Sequence, residues 1–178
     1  MNIVVITSSP NEAGTSALLA DEFIRGAREA GHDIFRFDAG KKAVGACLAC
    51  QACGCGAEPC VQEDDMQELH PALVAADAVV FASPIYYFGM TAQMKLVIDR
   101  FYAVNTHLRE RSRKAALLLT CASDNAVVVG PAVNQYECML GYLGWQDGGR
   151  VLALGCPVRT VIEQSDFPRQ AYELGKSF

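Results

Sequence analysis

No stretch of the 178 residues reaches the roughly 18 uninterrupted apolar positions that a membrane-spanning helix needs. The richest run, ALVAADAVVFA, is broken by Asp77. No membrane association is therefore expected. The opening MNIVVITSSP lacks a basic segment and a small-residue cleavage pattern, so the expected compartment is the cytoplasm, where thiols stay reduced. Positive charge is scarce. The 15 Lys and Arg against 20 Asp and Glu leave a net charge of −5, which argues against nucleic acid as a partner, because that needs a basic face. Two phosphate-binding signatures are missing as well, G-x-x-x-x-G-K-[ST] and G-x-G-x-x-G, so a nucleotide triphosphatase is not expected. Repeats, low-complexity tracts and linkers are also missing. The length then predicts one domain over residues 1–178 with a real hydrophobic core.

What is present alternates between two periods. NIVVIT (2–7), AVVFAS (78–83), AALLLTC (115–121) and RVLALG (150–155) are apolar runs that read as strands covered on both faces, and DIFRF (33–37) reads as an alternating strand nearer an edge. Between them, TSALLADEFIRGAREA (15–30), DDMQELHPALVAA (64–76), TAQMKLVIDRFYAV (91–104) and AVVVGPAVNQYECMLGYLG (126–144) carry helical spacing, and DFPRQAYELGKSF (166–178) reads as a terminal helix. Gly31 sits where a left-handed residue ends the first helix. Asp64 with Gln67 resembles a capping box, and Pro71 inside that helix is a cost. The order predicts an α/β fold, a three-layer sandwich around a five-stranded parallel sheet in the flavodoxin-like order 2-1-3-4-5.

In such sheets ligands bind beyond the carboxyl ends of the strands. The loops there are SSPNEAGTS (8–16), PIYYFGM (84–90) and ASDN (122–125). The first combines hydroxyls at Ser8, Ser9, Thr15 and Ser16, the Asn11 amide and a helix N-terminus. That is an anion site without lysine, suited to a phosphate monoester. The bland reading is that Thr15 or Ser16 merely caps the helix. In the second loop Pro84 and Gly89 bound a bend carrying Tyr86, Tyr87 and Phe88, able to stack on a flat ring. The alternative there is packing into the core or against a second subunit.

At this point the chain resembles a known family. SSPNEAGTSALL, the cysteine loop running into CVQEDDM, ADAVVFASPIYYFGMTAQMKLVIDR and AALLLTC are together similar to the NAD(P)H-dependent FMN reductases, and within them to iron-sulfur flavoproteins and multimeric flavodoxin-like quinone reductases. The resemblance covers roughly residues 1–121 well and the rest weakly. It implies FMN with its phosphate at Ser9, Asn11, Thr15 and Ser16, Asn11 standing where an arginine is common. Pro84, Ile85, Tyr86, Tyr87, Phe88 and Gly89 would line the isoalloxazine, with Tyr86 and Phe88 in ring contact. The loop from Cys121 through Ser123 to Asn125 would approach the pyrimidine end, where many relatives have glycines; Asp124 there is unfavourable unless it points to solvent. The flavin carries the chemistry, so no catalytic acid or base is named. The implied partners are NAD(P)H and a quinone, flavin or other small electron acceptor, and the implied assembly is a homodimer or homotetramer. Trp145 and Tyr142 serve either that contact or the core. The basic group Arg109, Arg111, Arg113 and Lys114 is read as coating a solvated connection, with a grip on a phosphorylated nicotinamide as the alternative.

Five of the eight cysteines fall within CLACQACGCGAEPC (47–60). Cys47, Cys50, Cys53 and Cys60 have the spacing C-x₂-C-x₂-C-x₆-C. That resembles the compact motif of the iron-sulfur flavoproteins, and four thiolates suit a [4Fe–4S] cluster. The function would then be that of an electron carrier reduced by a ferredoxin-like partner. Zinc would accept the same ligands, a redox disulfide is a further possibility, and a metal-free loop of small residues is the plain alternative. Cys55 either replaces Cys53 or stays free. Cys121, Cys138 and Cys156 are expected in buried packing. The third functional alternative is a flavin-binding or wholly non-catalytic interaction module.

Overall fold

Successive residues of the first strand, β1 (Asn2–Thr7), enter opposite cores. Ile3 and Val5 pack on one side of the sheet, Val4 and Ile6 on the other. The structure, a computed structural model, describes residues 1–178. After β1 come α1 (Thr15–Glu29), β2 (Asp33–Asp38), α2 (Met66–Ala75), β3 (Ala78–Tyr86), β4 (Gly89–Met90), α3 (Ala92–Arg100), α4 (Asn105–Arg109), β5 (Lys114–Thr120), α5 (Gly130–Leu143), β6 (Gln146–Ala153), α6 (Arg159–Glu163) and α7 (Phe167–Lys176).

The sheet runs β2-β1-β3-β5-β6, and these five long strands are all parallel. The expectation of exactly five strands is corrected. A sixth, β4, pairs antiparallel with the end of β3 through Ile85↔Met90 and Tyr86↔Gly89. The aromatic bend is thus a hairpin rather than a plain loop. The last strand also starts earlier than expected. Its first half, Gln146 to Gly149, reads as a loop from its polar and glycine content, but an edge strand can carry such residues, and a bulge opposite Ala115/Ala116 accommodates them.

One core holds Val79, Phe81, Leu117 and Leu119 against Leu69 and Leu73 of α2, Met94 and Val97 of α3, and Tyr136 and Leu140 of α5. The other holds Val80, Leu118 and Val151 against Leu19, Phe23 and Ala27 of α1 and Ala171 of α7. Each fully buried side chain of this size contributes about 1.5–3 kcal/mol. Helices α1 and α7 touch backbone to backbone. A Cβ on Gly26 would stand 2.1 Å from the Tyr172 carbonyl oxygen, and one on Gly175 2.1 Å from that of Phe23.

Three further readings change. Arg113 is not on a solvated connection: it is 3% exposed and donates to the carbonyls of Val74, Ala76 and Leu108, while Arg111 donates to those of Ala75 and Ala76. The two guanidiniums close the carbonyl end of α2, where the unpaired acceptors and the dipole favour cations. Trp145 is core, its indole N–H donating to the Leu108 carbonyl at 2.9 Å, whereas Tyr142 is exposed. Cys138 is also exposed, because it lies two residues from Tyr136 and so on the outer face of α5.

Candidate functional site

At the carboxyl ends of β1, β3 and β5 lies an open pocket of about 310 Å³. It brings together Ser9, Asn11, Thr15 and Ser16 from the first loop, Pro84, Ile85 and Tyr86 from the end of β3, and Cys121 after β5. The first loop is shaped by its own bonds. The Ser9 hydroxyl accepts from the Asn11 N–H at 3.1 Å, and the Asn11 side-chain oxygen accepts from the Ala13 N–H at 3.1 Å. The capping reading of Thr15 and Ser16 fails. Gly14 is the N-cap and no side chain caps α1, while Thr15 instead donates to the Thr120 hydroxyl at 2.9 Å. A 15-residue helix therefore begins at the pocket with its first N–H groups free of a side-chain acceptor.

Tyr87, Phe88, Gly89 and Ser123 lie outside the pocket's lining. Tyr87 and Phe88 form the tip of the β3–β4 hairpin with φ of 47° and 68°. Both residues are bulky side chains in a conformation favouring glycine or asparagine. Tyr86, Tyr87 and Phe88 are all exposed, so their packing into the core is excluded. Ser123 shapes its own loop, its hydroxyl accepting from the Asn125 N–H, and Asp124 is exposed. Ala13 and Ala122 lie within the loops singled out in the sequence; the residues it misses are Thr120, Cys156, Pro157, Val158 and Arg159. The last four follow β6, which ends at Ala153, two residues before the apolar run does; Arg159 is the pocket's one cationic side chain. Burial pushes the Cys156 thiol above its ordinary value.

The cysteines occupy a second place. The chain from 39 to 65 is longer than the ~15 residues that unstructured connections rarely exceed, and such loops are commonly functional. Cys47, Cys50, Cys53 and Cys60 all line one small cavity of about 20 Å³, together with Arg100 and Tyr102. Cys55 does not. Its thiol donates to the Tyr102 hydroxyl at 2.7 Å, and its backbone carbonyl accepts from Thr106. The loop turns sharply, with Ala49, Gln51 and Cys55 at positive φ. Gly56 at φ 110° lies so close to α4 that a Cβ would be 3.3 Å from the Asn105 and Thr106 nitrogens. No three Cys, His, Asp or Glu side chains stand at metal-holding separations.

One buried cation ties this loop down. Arg100, 1% exposed, donates to Asp64 at 2.5 and 3.1 Å, to the Gly45 carbonyl at 3.0 Å and to the Cys60 sulfur at 3.4 Å. The expected capping box is not formed: one Asp64 oxygen accepts from the Gly45 N–H, the other from the Met66 N–H. Burial raises the Asp64 pKa, but the hydrogen bonds from Arg100, Gly45 and Met66 outweigh it and hold the carboxyl below its ordinary value. His70 Nε2 donates to the Arg100 carbonyl at 3.1 Å, and burial lowers its pKa. The largest cavity, about 660 Å³, lies between α2, residues 103–107 and the far side of the cysteine loop. No hydroxyl-bearing side chain lines it and Glu58 does, so the smaller, hydroxyl-rich pocket at the strand ends is the better anion site.

The sheet order and the pocket at its carboxyl edge define a flavodoxin-like α/β protein. More narrowly, the chain belongs to the NADPH-dependent FMN reductase family, whose sequence profile matches residues 1–153. It is 37% identical over 100 residues to an iron-sulfur flavoprotein of Archaeoglobus fulgidus, covering 56% of this chain and 45% of that protein. A further iron-sulfur flavoprotein of that organism is 30% identical over 142 residues, covering 79% and 69%. An FMN-dependent NADH:quinone oxidoreductase of Opitutus terrae is 30% identical over 98 residues, covering 45% and 46%. The chain thus spans about half the length of several curated relatives it matches. Among solved structures, an NAD(P)H:quinone oxidoreductase from Methanothermobacter marburgensis superimposes with a TM-score of 0.77 at 20% identity over 99% of this chain and 96% of that one, a likeness of fold.

Proposed function

We propose that the chain is an FMN-dependent oxidoreductase that passes electrons from NAD(P)H to a quinone, a flavin or another small acceptor. The observation that carries this reading is the single pocket joining an uncapped helix N-terminus to the Pro84–Tyr86 bend. Its residues fit FMN. Ser9, Asn11, Thr15, Ser16 and the free N–H groups of α1 suit a phosphate, Arg159 supplies the cation absent at position 11, and Pro84, Ile85 and Tyr86 offer a surface for a flat ring. FMN, when bound, supplies the hydride chemistry. The chain's part is to hold and orient it while leaving the pocket open to a second reactant. Family membership supports the donor and the cofactor. The exposed Tyr86, Tyr87, Phe88 and Tyr142 suit a contact in a homodimer or homotetramer. No helix is long and apolar enough to cross a membrane, and a cytoplasmic site of action belongs to the proposal. The test is anaerobic mixing of the FMN-loaded protein with NADH or NADPH. Bleaching of the flavin absorbance is expected, and its absence with both donors overturns the reading.

A second reading has its own observation. Four cysteines line one cavity while Cys55 is held outside it, which favours Cys47, Cys50, Cys53 and Cys60 as ligands of a [4Fe–4S] cluster. The soft donor set fits; the thiols must rearrange, since no three stand at metal-holding separations. The protein would then be an iron-sulfur electron carrier served by a ferredoxin-like partner. About four irons per chain after anaerobic purification are expected. An iron-free, fully reducible flavoprotein from that preparation leaves the first reading alone.

A further inference from the structure

Arg100 combines three features that a merely structural ion pair does not require. It lines the cavity of the four cysteines, its Nη2 lies 3.4 Å from the Cys60 sulfur, and its Nε is the one buried side-chain nitrogen or oxygen without a partner. A buried donor without an acceptor is costly, and native structures seldom keep one without reason. The guanidinium is also oriented. Asp64 engages both terminal nitrogens and the Gly45 carbonyl engages Nη1, which leaves Nη2 shared between Asp64 and Cys60. The carboxylate therefore offsets much of the charge but leaves an N–H dipole aimed at sulfur.

We propose that Arg100 is a positioning residue that donates a hydrogen bond to the Cys60 thiolate and raises the reduction potential of a cluster held there. The proposal rests on the cluster reading above. Its physical basis is simple. Reduction adds one electron, and so one negative charge, to a group already carrying four thiolates. An N–H donor on one of those sulfurs stabilises the reduced form more than the oxidised form. Arg100 belongs to α3, whose Met94, Val97 and the following Phe101 are packed in the core, so the donor is carried on a rigid element while the cysteines sit on a loop.

The test compares wild type with two variants, Arg100→Lys and the double variant Asp64→Asn/Arg100→Gln, which removes the cation together with its counterion and leaves no orphaned charge. Iron per chain, FMN content and both midpoint potentials are measured in an anaerobic titration with dithionite as the electron source. In the double variant the reduction equilibrium of the cluster is expected to fall about tenfold, which is about 59 mV for one electron. The flavin potential should stay where it was, and Arg100→Lys should lie between. An unmoved cluster potential overturns the proposal, as does an equal fall in both potentials. Loss of iron from both variants also overturns it, by making Arg100 a device for holding the loop alone. Wild type without iron overturns the cluster reading itself and this proposal with it, an outcome visible before any variant is made.

Discussion

The pocket proposed for flavin and the cysteine cavity are built on opposite principles. The pocket at the strand ends uses backbone and neutral hydroxyls on rigid supports. Thr15 bonds Thr120 across from α1 to β5, Ser9 and Asn11 bond their own loop, and Arg159 is the single cation. The cysteine cavity sits on a long excursion fastened to the body by a few polar ties. Asp65 with the Ala43 backbone and Gln62 with the Ala46 carbonyl close the loop on itself, while Arg100 with Asp64 and Gly45, Tyr102 with Cys55 and Thr106 with the Cys55 carbonyl fasten it to the body. A neutral pocket open to solvent loses little when one hydroxyl goes. A loop fastened through a buried charge pair is all-or-nothing, because each partner left alone is an uncompensated charge.

The largest expected effect is on the cysteine side. If the four thiols hold a cluster, Cys50→Ala should abolish bound iron and leave FMN in place, as read by iron analysis and the flavin spectrum of one anaerobic preparation. Iron persisting in that variant would move the ligand set, with Cys55 the candidate replacement. Next in size, Arg100→Met should destabilise the fold by about 3 kcal/mol, the low end for a buried pair, since Asp64 loses its cation but stays 13% exposed and keeps two backbone N–H donors. Asp64→Asn/Arg100→Met should recover part of that loss, because both charges go while the amide oxygen still accepts a backbone N–H. Denaturant unfolding of the metal-free proteins measures both. Equal losses in the single and double variants would show that the pair is not the fastening.

On the flavin side, Ser9→Ala with Ser16→Ala should weaken FMN at least tenfold. Each charge-assisted hydrogen bond to a phosphate contributes on the order of 1.5–3 kcal/mol. Titration of apoprotein with FMN measures it, and unchanged affinity would move the phosphate elsewhere in the pocket. Fold stability should hardly change, in contrast to Arg100, because neither hydroxyl is tied to a buried charge.

The unequal readability of the two regions in the sequence has the same physical origin. Strands such as NIVVIT and AALLLTC declare themselves because burial on both faces demands unbroken apolar runs, and the sheet order follows from their alternation with helices. The pocket's first half was readable because a loop between a buried strand and a helix must end at a helix N-terminus. Its second half, Cys156 to Arg159, was not. The edge strand before it begins in Gln146-Asp147-Gly148-Gly149, which carries no period, and the helix after it is a single short turn. The partnership of Asp64 with Arg100 was hidden for another reason. Asp64 stands at a helix start, where a local capping role explains it fully, and only tertiary structure reveals a partner 36 positions away. Likewise the four basic residues at 109–114 look like a solvated run, because no periodicity announces that Arg113 turns inward to helix carbonyls.

The smallest effect sharpens the comparison within the flavin side itself. The hairpin tip holds Tyr87 and Phe88 at φ 47° and 68°, the arrangement of a tight primed turn that ordinarily takes Asn and Gly. Each bulky residue there stores on the order of 1–2 kcal/mol of backbone strain. Tyr87 is wholly exposed and Phe88 half so, and neither lines the pocket, so contacts within the chain offset little of that strain. Phe88→Gly should therefore raise the stability of the monomeric apoprotein by about 1 kcal/mol in denaturant unfolding. If the two aromatics are kept for a second subunit, the same change should weaken self-association, seen as a concentration-dependent shift in sedimentation. If they are kept for the flavin ring, FMN affinity should fall and association should stay. A stabilised variant unchanged in both would leave the strain without a purpose and remove this hairpin from either role.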